Sequence, residues 1–168
     1  MEIIFKRRSL RKYTGDPVSN EDVRKILKAA MYAPSAGNAR PWEFIVVRDT
    51  KTLMQMAEVS PYSKMTANAD VAILICGNLE KEKYKGYWVQ DCSAAIQNML
   101  LEITDLGLGS VWLGVYPVEE RVQYLMELFK LPDHIVPLSI IPIGHPDEEK
   151  SIPERFDESA IHIEHFNY

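Results

Sequence analysis

The stretch VAILIC, residues 71–76, is a short continuous run of apolar residues that is rich in branched side chains. A run of this length and composition is typical of a strand that is buried on both of its faces. It therefore predicts an interior strand, and an interior strand needs other elements on both of its sides.

Cap residues and apolar periodicity predict those other elements. Ser19 with Asp22 three residues later opens a helix, and Pro34 ends that helix because a proline pushes the preceding residue out of the α region. A long apolar stripe over residues 89–106, terminated by Gly107, predicts the most buried helix. The remaining predictions are strands over residues 42–47, 110–116 and 137–144 and helices over 50–58 and 118–130, with Asp49 as the cap of the first of these helices.

Helices and strands therefore alternate along most of the chain. Such alternation is typical of parallel strand pairs, because a crossover helix usually connects them. From the alternation alone, we expect at least some parallel pairing in the sheet.

The C-terminal tail SIPERFDESAIHIEHFNY, residues 151–168, carries apolar residues with weak periodicity. A free tail is usually more polar than this one. We therefore expect the tail to lie along another subunit.

Length, composition and cysteine placement restrict the class of protein. The 168 residues are 46% hydrophobic, which fits one globular domain over residues 1–168. Cys76 and Cys92 lie in predicted core elements and resemble neither a disulfide framework nor metal ligands, which favours a reducing cytoplasm. We expect no signal peptide and no membrane span, because no apolar run approaches the roughly 20 residues that a span needs.

The segment KRRSLRKY, residues 6–13, concentrates positive charge near the N-terminus of an acidic chain. The formal net charge is −5 and the five cations of this segment contribute +5, so the other residues carry −10. An acidic body repels nucleic acids and anionic membranes, which bind proteins through widely spread Lys and Arg. The segment therefore predicts a site for one compact anion, with Arg7, Arg8, Ser9 and Arg11 as donors suited to phosphate oxygens. A solvated basic turn is the alternative.

The segment PSAGNARPW, residues 34–42, is a second candidate binding element. Its small residues allow a backbone to approach a flat ligand, and Asn38 can both donate to and accept from the edge of a heterocycle. A plain connection between helix and strand is the alternative. On pattern alone, both interpretations stay open.

Several other chemistries are excluded. GLGSVWLGVY and PIGHP lack the glycine spacing and the position of a dinucleotide fingerprint, and the chain has no phosphate-binding loop of the Walker type. The four histidines do not form a credible metal set, and neither a nucleophile elbow nor a nucleophile paired with a base appears. An anion site without catalytic side chains favours a cofactor that brings its own chemistry.

Four segments, taken in order, resemble the FMN-dependent nitroreductase family. They are RRSLRKY, APSAGNARPWEFIVV, QDCSAAIQNMLLEITDLGLGSVWLG, and PIGHP followed by PERF, and they span nearly the whole chain. The resemblance implies an α+β fold with a central, mainly antiparallel mixed sheet flanked by helices. It also implies a homodimer that exchanges its C-terminal extensions and holds two FMN molecules between its subunits.

The resemblance also assigns residues to the cofactor. It implies that Arg7, Arg8 and Ser9 bind the FMN phosphate and that Arg11 reaches the pyrimidine edge of the flavin. The other positions that it implies are Asn38 on the flavin ring, Pro34, Ser35 and Ala36 on the ring from the other subunit, Leu113 and Gly114 beside N5, and Gly144, His145 and Arg155 near the phosphate.

The implied activity is reduction of nitroaromatics, quinones or similar flat aromatic acceptors by NADH or NADPH in a ping-pong reaction. Flavin N5 carries the hydride, so no side chain is assigned as a catalytic acid or base. A flavin-binding protein without nicotinamide-driven turnover is the alternative.

Two departures from the family pattern are Arg40, whose role is not assigned, and the short segment 78–88. Packing is the preferred role for Tyr84, Tyr87 and Trp88 in that segment over bordering the acceptor site.

Overall fold

The computed structural model describes residues 2–166, and Met1, Asn167 and Tyr168, which end the predicted domain and tail, lie outside the described residues. The helices are α1 (Glu2–Lys6), α2 (Asn20–Met31), α3 (Thr50–Ala57), α4 (Trp88–Asp105) and α5 (Glu119–Phe129). The strands are β1 (Trp42–Val47), β2 (Val71–Asn78), β3 (Gly109–Ser110), β4 (Leu113–Gly114) and β5 (Ile135–Gly144). Short 3-10 turns cover Ala36–Asn38, Lys64–Asn68 and Glu158–Ala160.

Strand β2 is an interior strand, as the apolar run predicts. The sheet order is β1-β2-β5-β3, with β4 also on β5, and every residue of β2 is buried. Its alternate residues enter two separate cores: Val71, Ile73 and Ile75 face one cluster, and Ala72, Leu74 and Cys76 face the other. Each buried branched side chain stabilises the fold by about 1.5–3 kcal/mol relative to an exposed one.

A layer of helices covers each face of the sheet. Helices α2 and α4 supply Ile26, Ile96 and Met99 to the first core, whereas α3 and α5 supply Met56 and Leu125 to the second. This is the α+β arrangement that the resemblance implies. None of the described helices is long and apolar enough to cross a membrane.

The predicted helix ends are confirmed. The Ser19 side chain accepts a hydrogen bond from the Asp22 N–H at the start of α2, and the Asp49 side chain accepts one from the Thr52 N–H at the start of α3. Gly107 follows α4 with φ of 72°, a left-handed conformation that glycine adopts without a steric cost.

The parallel pairing expected from the alternation is wrong for the named strands, which all pair antiparallel. Helix α4 does connect β2 to a strand of the same direction, β3. However, β5 lies between β2 and β3 and pairs antiparallel with both. Among residues 2–166, the parallel contact is confined to an isolated bridge between Ser9 and Ser110.

The single strand predicted over residues 110–116 is also wrong, because two short strands replace it. Ser110 pairs with Ile143 and Leu113 with Ile140, so the two pieces keep one register along β5. That register places Pro142 opposite the break, and a proline supplies no N–H to a ladder.

A partly buried ionic clamp ties the N-terminal segment, at Val18, to the sheet. Arg48, just after β1, bonds to the Asp70 carboxylate through Nη1 and donates from Nη2 to the Val18 carbonyl at 2.8 Å. The Val18 N–H in turn donates to Asp70 at 2.9 Å. Both charged side chains are mostly covered, with 33% and 23% of the Arg48 and Asp70 side chains exposed.

We predict that Asp70→Asn lowers the free energy of unfolding by about 2 kcal/mol, because the partly buried Arg48 guanidinium loses its ionic partner. Chemical denaturation measures this change. The matched control is Lys64→Gln, which removes an ion pair to Glu58 whose side chains are 59% and 62% exposed. It should cost less than about 1 kcal/mol. Equal losses for the two variants would contradict the special role of the clamp.

Candidate cofactor site

The N-terminal segment that carries the predicted donors is fixed along one edge of the sheet. The Leu10 N–H donates to the Ser110 carbonyl at 2.9 Å, and the Thr14 N–H donates to the His145 carbonyl at 3.0 Å. The Asp147 N–H donates to the Lys12 carbonyl at 3.0 Å. The segment is therefore held at several points between β3 and the turn after β5.

Arg8 is anchored through two of its nitrogens and leaves the third without a partner. Its Nε donates to the Ser151 carbonyl at 2.8 Å, and its Nη1 donates to the Arg7 carbonyl at 2.6 Å. Its Nη2 is buried and makes no hydrogen bond to any described residue. A buried N–H group of a cation is costly to leave unpaired, so the site is suited to an external acceptor.

Arg7, Arg8 and Arg155 form what we call the guanidinium cluster. Burial lowers the pKa of the Arg7 guanidinium, and the positive charges of Arg155 and Arg8 lower it further. Within residues 2–166, none of the three arginines forms an ion pair with an acidic side chain. A phosphate group would neutralise this charge, and the three guanidinium forks fit its oxygens. The residues present therefore fit the phosphate of FMN.

Ser9 lies beside the cluster and is held by a cation that sequence reasoning missed. The Lys150 Nζ donates to the Ser9 carbonyl at 2.6 Å and lies 3.4 Å from the Glu148 carboxylate. Lys150 stands in the acidic run PDEEK, where nothing in the pattern marks it as part of a site.

Arg11, Leu113 and Gly114 line one cavity of about 380 Å³. The structure thus brings together three residues that the resemblance places at the flavin ring. Other residues of the lining had no motif to mark them; they are Ser60, Pro61, Tyr62, Met65, Trp112 and Arg121.

The segment 34–40 has an unusual backbone. Gly37, Asn38 and Arg40 adopt positive φ angles of 59°, 57° and 49°, and the Arg40 N–H donates to the Ser35 Oγ at 3.0 Å. Three left-handed residues within four positions make a tight bend that leaves the Asn38 side chain exposed, where it can meet a ligand.

Asp91 on α4 fixes this bend, and sequence reasoning missed it. Its Oδ1 accepts from the Ala36 N–H at 2.9 Å, and only 6% of the residue is exposed. Its Oδ2 is buried and has no hydrogen-bond partner among the described residues. The one available signal was an acidic residue within the most apolar helix.

Most of the predicted site residues fall into three groups, of which the first two adjoin, because the Arg11 Nη1 donates to the Ser9 carbonyl at 3.5 Å. Arg7, Arg8, Ser9 and Arg155 lie at the cluster, whereas Arg11, Leu113 and Gly114 lie at the cavity. The described chain does not bring Pro34, Ser35, Ala36 or Asn38 to the lining of that cavity, and their bend contacts Asp91, Lys83 and Tyr84 instead.

Gly144 and His145 brace the N-terminal segment. A side chain at Gly144 would come within 2.9 Å of the Tyr13 ring, so the glycine permits close packing there. The His145 Nε2 lies 3.3 Å from the Pro17 carbonyl. Both residues therefore contact residues 13–17. These contacts help to fix the preceding residues 7–11, which carry the predicted phosphate and flavin donors.

The aromatic residues of segment 78–88 divide into two groups. Trp88 is buried, lies against Gly77 and meets the Tyr116 ring edge-on with centroids 4.9 Å apart. Tyr84 and Tyr87 are about half exposed, and neither lines the cavity at Arg11.

Arg40 lines a different cavity, together with Trp42 and Lys81. No group of three or more potential metal ligands occurs among the described residues.

Comparison with known proteins extends these observations. The model of the nitroreductase family matches residues 4–64 and 54–145. A protein of Archaeoglobus fulgidus, provisionally described as an NADH dehydrogenase/NAD(P)H nitroreductase, is 49% identical over 168 residues, which cover 98% of this chain and 97% of that protein.

Solved structures agree in fold. An FMN-dependent nitroreductase of Clostridium difficile superposes with a TM-score of 0.91 at 35% identity, covering 98% of both chains. A Desulfovibrio desulfuricans protein, provisionally described as a nitroreductase and solved in complex with FMN, gives a TM-score of 0.85 at 33% identity and covers 99% of this chain and 96% of its own. The resemblance and the fold that it implies are thus confirmed, and the chain belongs to the nitroreductase family.

Proposed function

We propose that this protein is an FMN-dependent oxidoreductase that uses NADH or NADPH to reduce nitroaromatics, quinones or similar flat acceptors. One observation carries the proposal: an uncompensated guanidinium cluster, with a buried and unpaired Arg8 Nη2, lies in the same N-terminal segment as Arg11 at the cavity. The names of the relatives, which include an NAD(P)H-dependent FMN reductase of Bacillus subtilis, support the same chemistry.

The chain's own residues bind and orient the cofactor. Arg7, Arg8, Ser9 and Arg155 would hold its phosphate, and Arg11 would meet the pyrimidine edge, where positive charge stabilises the reduced, anionic ring. The backbone at Leu113 and Gly114 would lie beside the ring. Once bound, FMN would supply the redox chemistry, which is hydride acceptance from the nicotinamide and transfer of two electrons to the acceptor.

The functional unit is a homodimer. The bend at residues 34–38 lies away from the cavity of its own chain, so it completes the site of a second copy. The outer edge of β1 has no partner strand among residues 2–166, and an unpaired edge is a natural docking site. The tail carries highly exposed apolar residues, including Ile152 at 60% and Phe156 at 70%, which pairing with a second copy would cover.

The protein acts in the cytoplasm. Cys76 and Cys92 are buried and form no disulfide. Burial raises the pKa of each thiol to about 12. Thiols in this state do not form the disulfides that typify oxidising compartments.

Replacing Arg7 and Arg8 together with Ala should weaken FMN binding about 100-fold or more, since each lost charge-assisted hydrogen bond is worth about 1.5–3 kcal/mol. Titration of the apoprotein with FMN, followed by flavin fluorescence, measures the dissociation constant. Lys12→Ala removes an exposed charge from the same segment and is the matched control. If the double variant retains FMN as tightly as this control, the phosphate assignment is wrong.

Anaerobic mixing with NADH or NADPH should bleach the oxidised flavin absorbance, and a nitroaromatic or quinone should then restore it. Steady-state initial rates should give parallel double-reciprocal lines, as a ping-pong reaction requires. Stopped-flow absorbance with each nicotinamide measures the first half-reaction. Persistent oxidised absorbance with both nicotinamides would instead identify a flavin-binding protein without nicotinamide-driven turnover.

The variant Ile152→Ser with Phe156→Ser should raise the dissociation constant of the dimer about 10⁴-fold, because four apolar side chains, two from each subunit, lose about 1.5 kcal/mol or more of burial each. It leaves Arg155 in place. Sedimentation equilibrium measures the change, and Met54→Ser, an exposed apolar residue on α3, is the control. A dimer unaffected by the tail changes would exclude the tail from the interface.

A further inference from the structure

Part of the cavity lining has no role in the proposed flavin contacts. We call it the rim, defined by Tyr62, Trp112 and Arg121. Tyr62 comes from the segment between α3 and β2, Trp112 lies between β3 and β4, and Arg121 lies in the first turn of α5. The rim therefore joins three separate parts of the fold beside Gly114.

Arg121 is fixed to the backbone beside the proposed ring position. Its Nη1 donates to the Gly114 carbonyl at 2.9 Å. A guanidinium has five N–H donors, and this bond uses one of them. The bond orients the group at the cavity and leaves donors for an acceptor oxygen.

The charge of the rim is uncompensated. The lining of the cavity includes Arg11 and Arg121 and no acidic side chain. Within the described chain, Arg121 forms no ion pair. Since Arg11 is proposed to face the flavin, Arg121 is the cation left for a second ligand. A cleft that carries charge of one sign raises the local concentration of ions of the opposite sign.

The two aromatic residues of the rim favour a flat ligand. Tyr62 and Trp112 are 73% and 37% exposed, so their rings are accessible to a ligand. Flat rings stack on such side chains, and a guanidinium binds a carboxylate through two parallel hydrogen bonds. A flat ring that bears a carboxylate satisfies both features.

We propose that the rim selects aromatic acceptors that carry a carboxylate, and that Arg121 is the residue that binds this charge. The proposal rests on the proposed function, since it names the acceptor class of the same site. For a nitrobenzoate, the reaction balances as NAD(P)H, one proton and the nitro group giving NAD(P)⁺, a nitroso group and water, with two electrons transferred.

A binding experiment on the oxidised, FMN-saturated protein tests the proposal without turnover. Calorimetric titration compares benzoate with benzamide, a neutral molecule of nearly the same shape. Arg121→Gln should weaken benzoate binding about tenfold or more, the loss expected for one charge-assisted hydrogen bond, and change benzamide binding less than about twofold. Arg24→Gln removes the same charge from the exposed face of α2 and should leave both affinities unchanged.

Turnover supplies the second readout. In Arg121→Gln, the ratio of kcat/KM for 4-nitrobenzoate to that for 4-nitrobenzamide should fall about tenfold. Equal losses for both ligands, or an effect confined to the KM for the nicotinamide with benzoate affinity unchanged, would overturn the proposal while the oxidoreductase activity stands. If the protein neither retains FMN nor oxidises a nicotinamide, the proposed function fails and this proposal falls with it.

Discussion

A strand buried on both faces is the constraint on which the rest of this structure depends. Strand β2 sends alternate residues into two cores, so one helical layer must cover each side of the sheet. Because these layers cover both faces of the sheet, its edges and the connecting turns are the places where a ligand can bind and react. The N-terminal segment is fixed at one such edge, against β3 and the turn after β5, and the ionic clamp at Asp70 holds the chain that follows it. The position of the proposed cofactor site is therefore a consequence of how the core is covered.

Charge accounts for the chemistry of that site. The guanidinium cluster brings like charges together, none of its three arginines forms an ion pair within residues 2–166, and burial of Arg7 raises the cost of its charge. No ion pair within the described chain offsets this electrostatic cost. A bound phosphate would neutralise the charge and so stabilise the folded protein. The cavity at Arg11 and Arg121 extends the same pattern towards the ring and the acceptor. Arginines thus stand at both proposed ligand positions, on a protein whose net charge is −5.

The sequence predicted those parts of the molecule that depend on local pattern. The caps at Ser19 and Asp49, the buried strand and the long helix follow from spacing and composition, and the structure confirms them. Strand direction did not follow, because the insertion of β5 between β2 and β3 is a tertiary arrangement that no local signal encodes. Asp91, Lys150 and Arg121 were missed for a related reason: each acts through a partner 7 to 141 residues away, and its own surroundings in the chain look ordinary. The assignments of individual residues to FMN stay predictions.

The guanidinium cluster is proposed to bind the phosphate of the cofactor. The most direct test compares the affinity of the apoprotein for FMN with its affinity for riboflavin, which has the same ring and no phosphate. FMN should bind at least about 100-fold more tightly, since several charge-assisted hydrogen bonds depend on the phosphate. Equal affinities for the two flavins would contradict it.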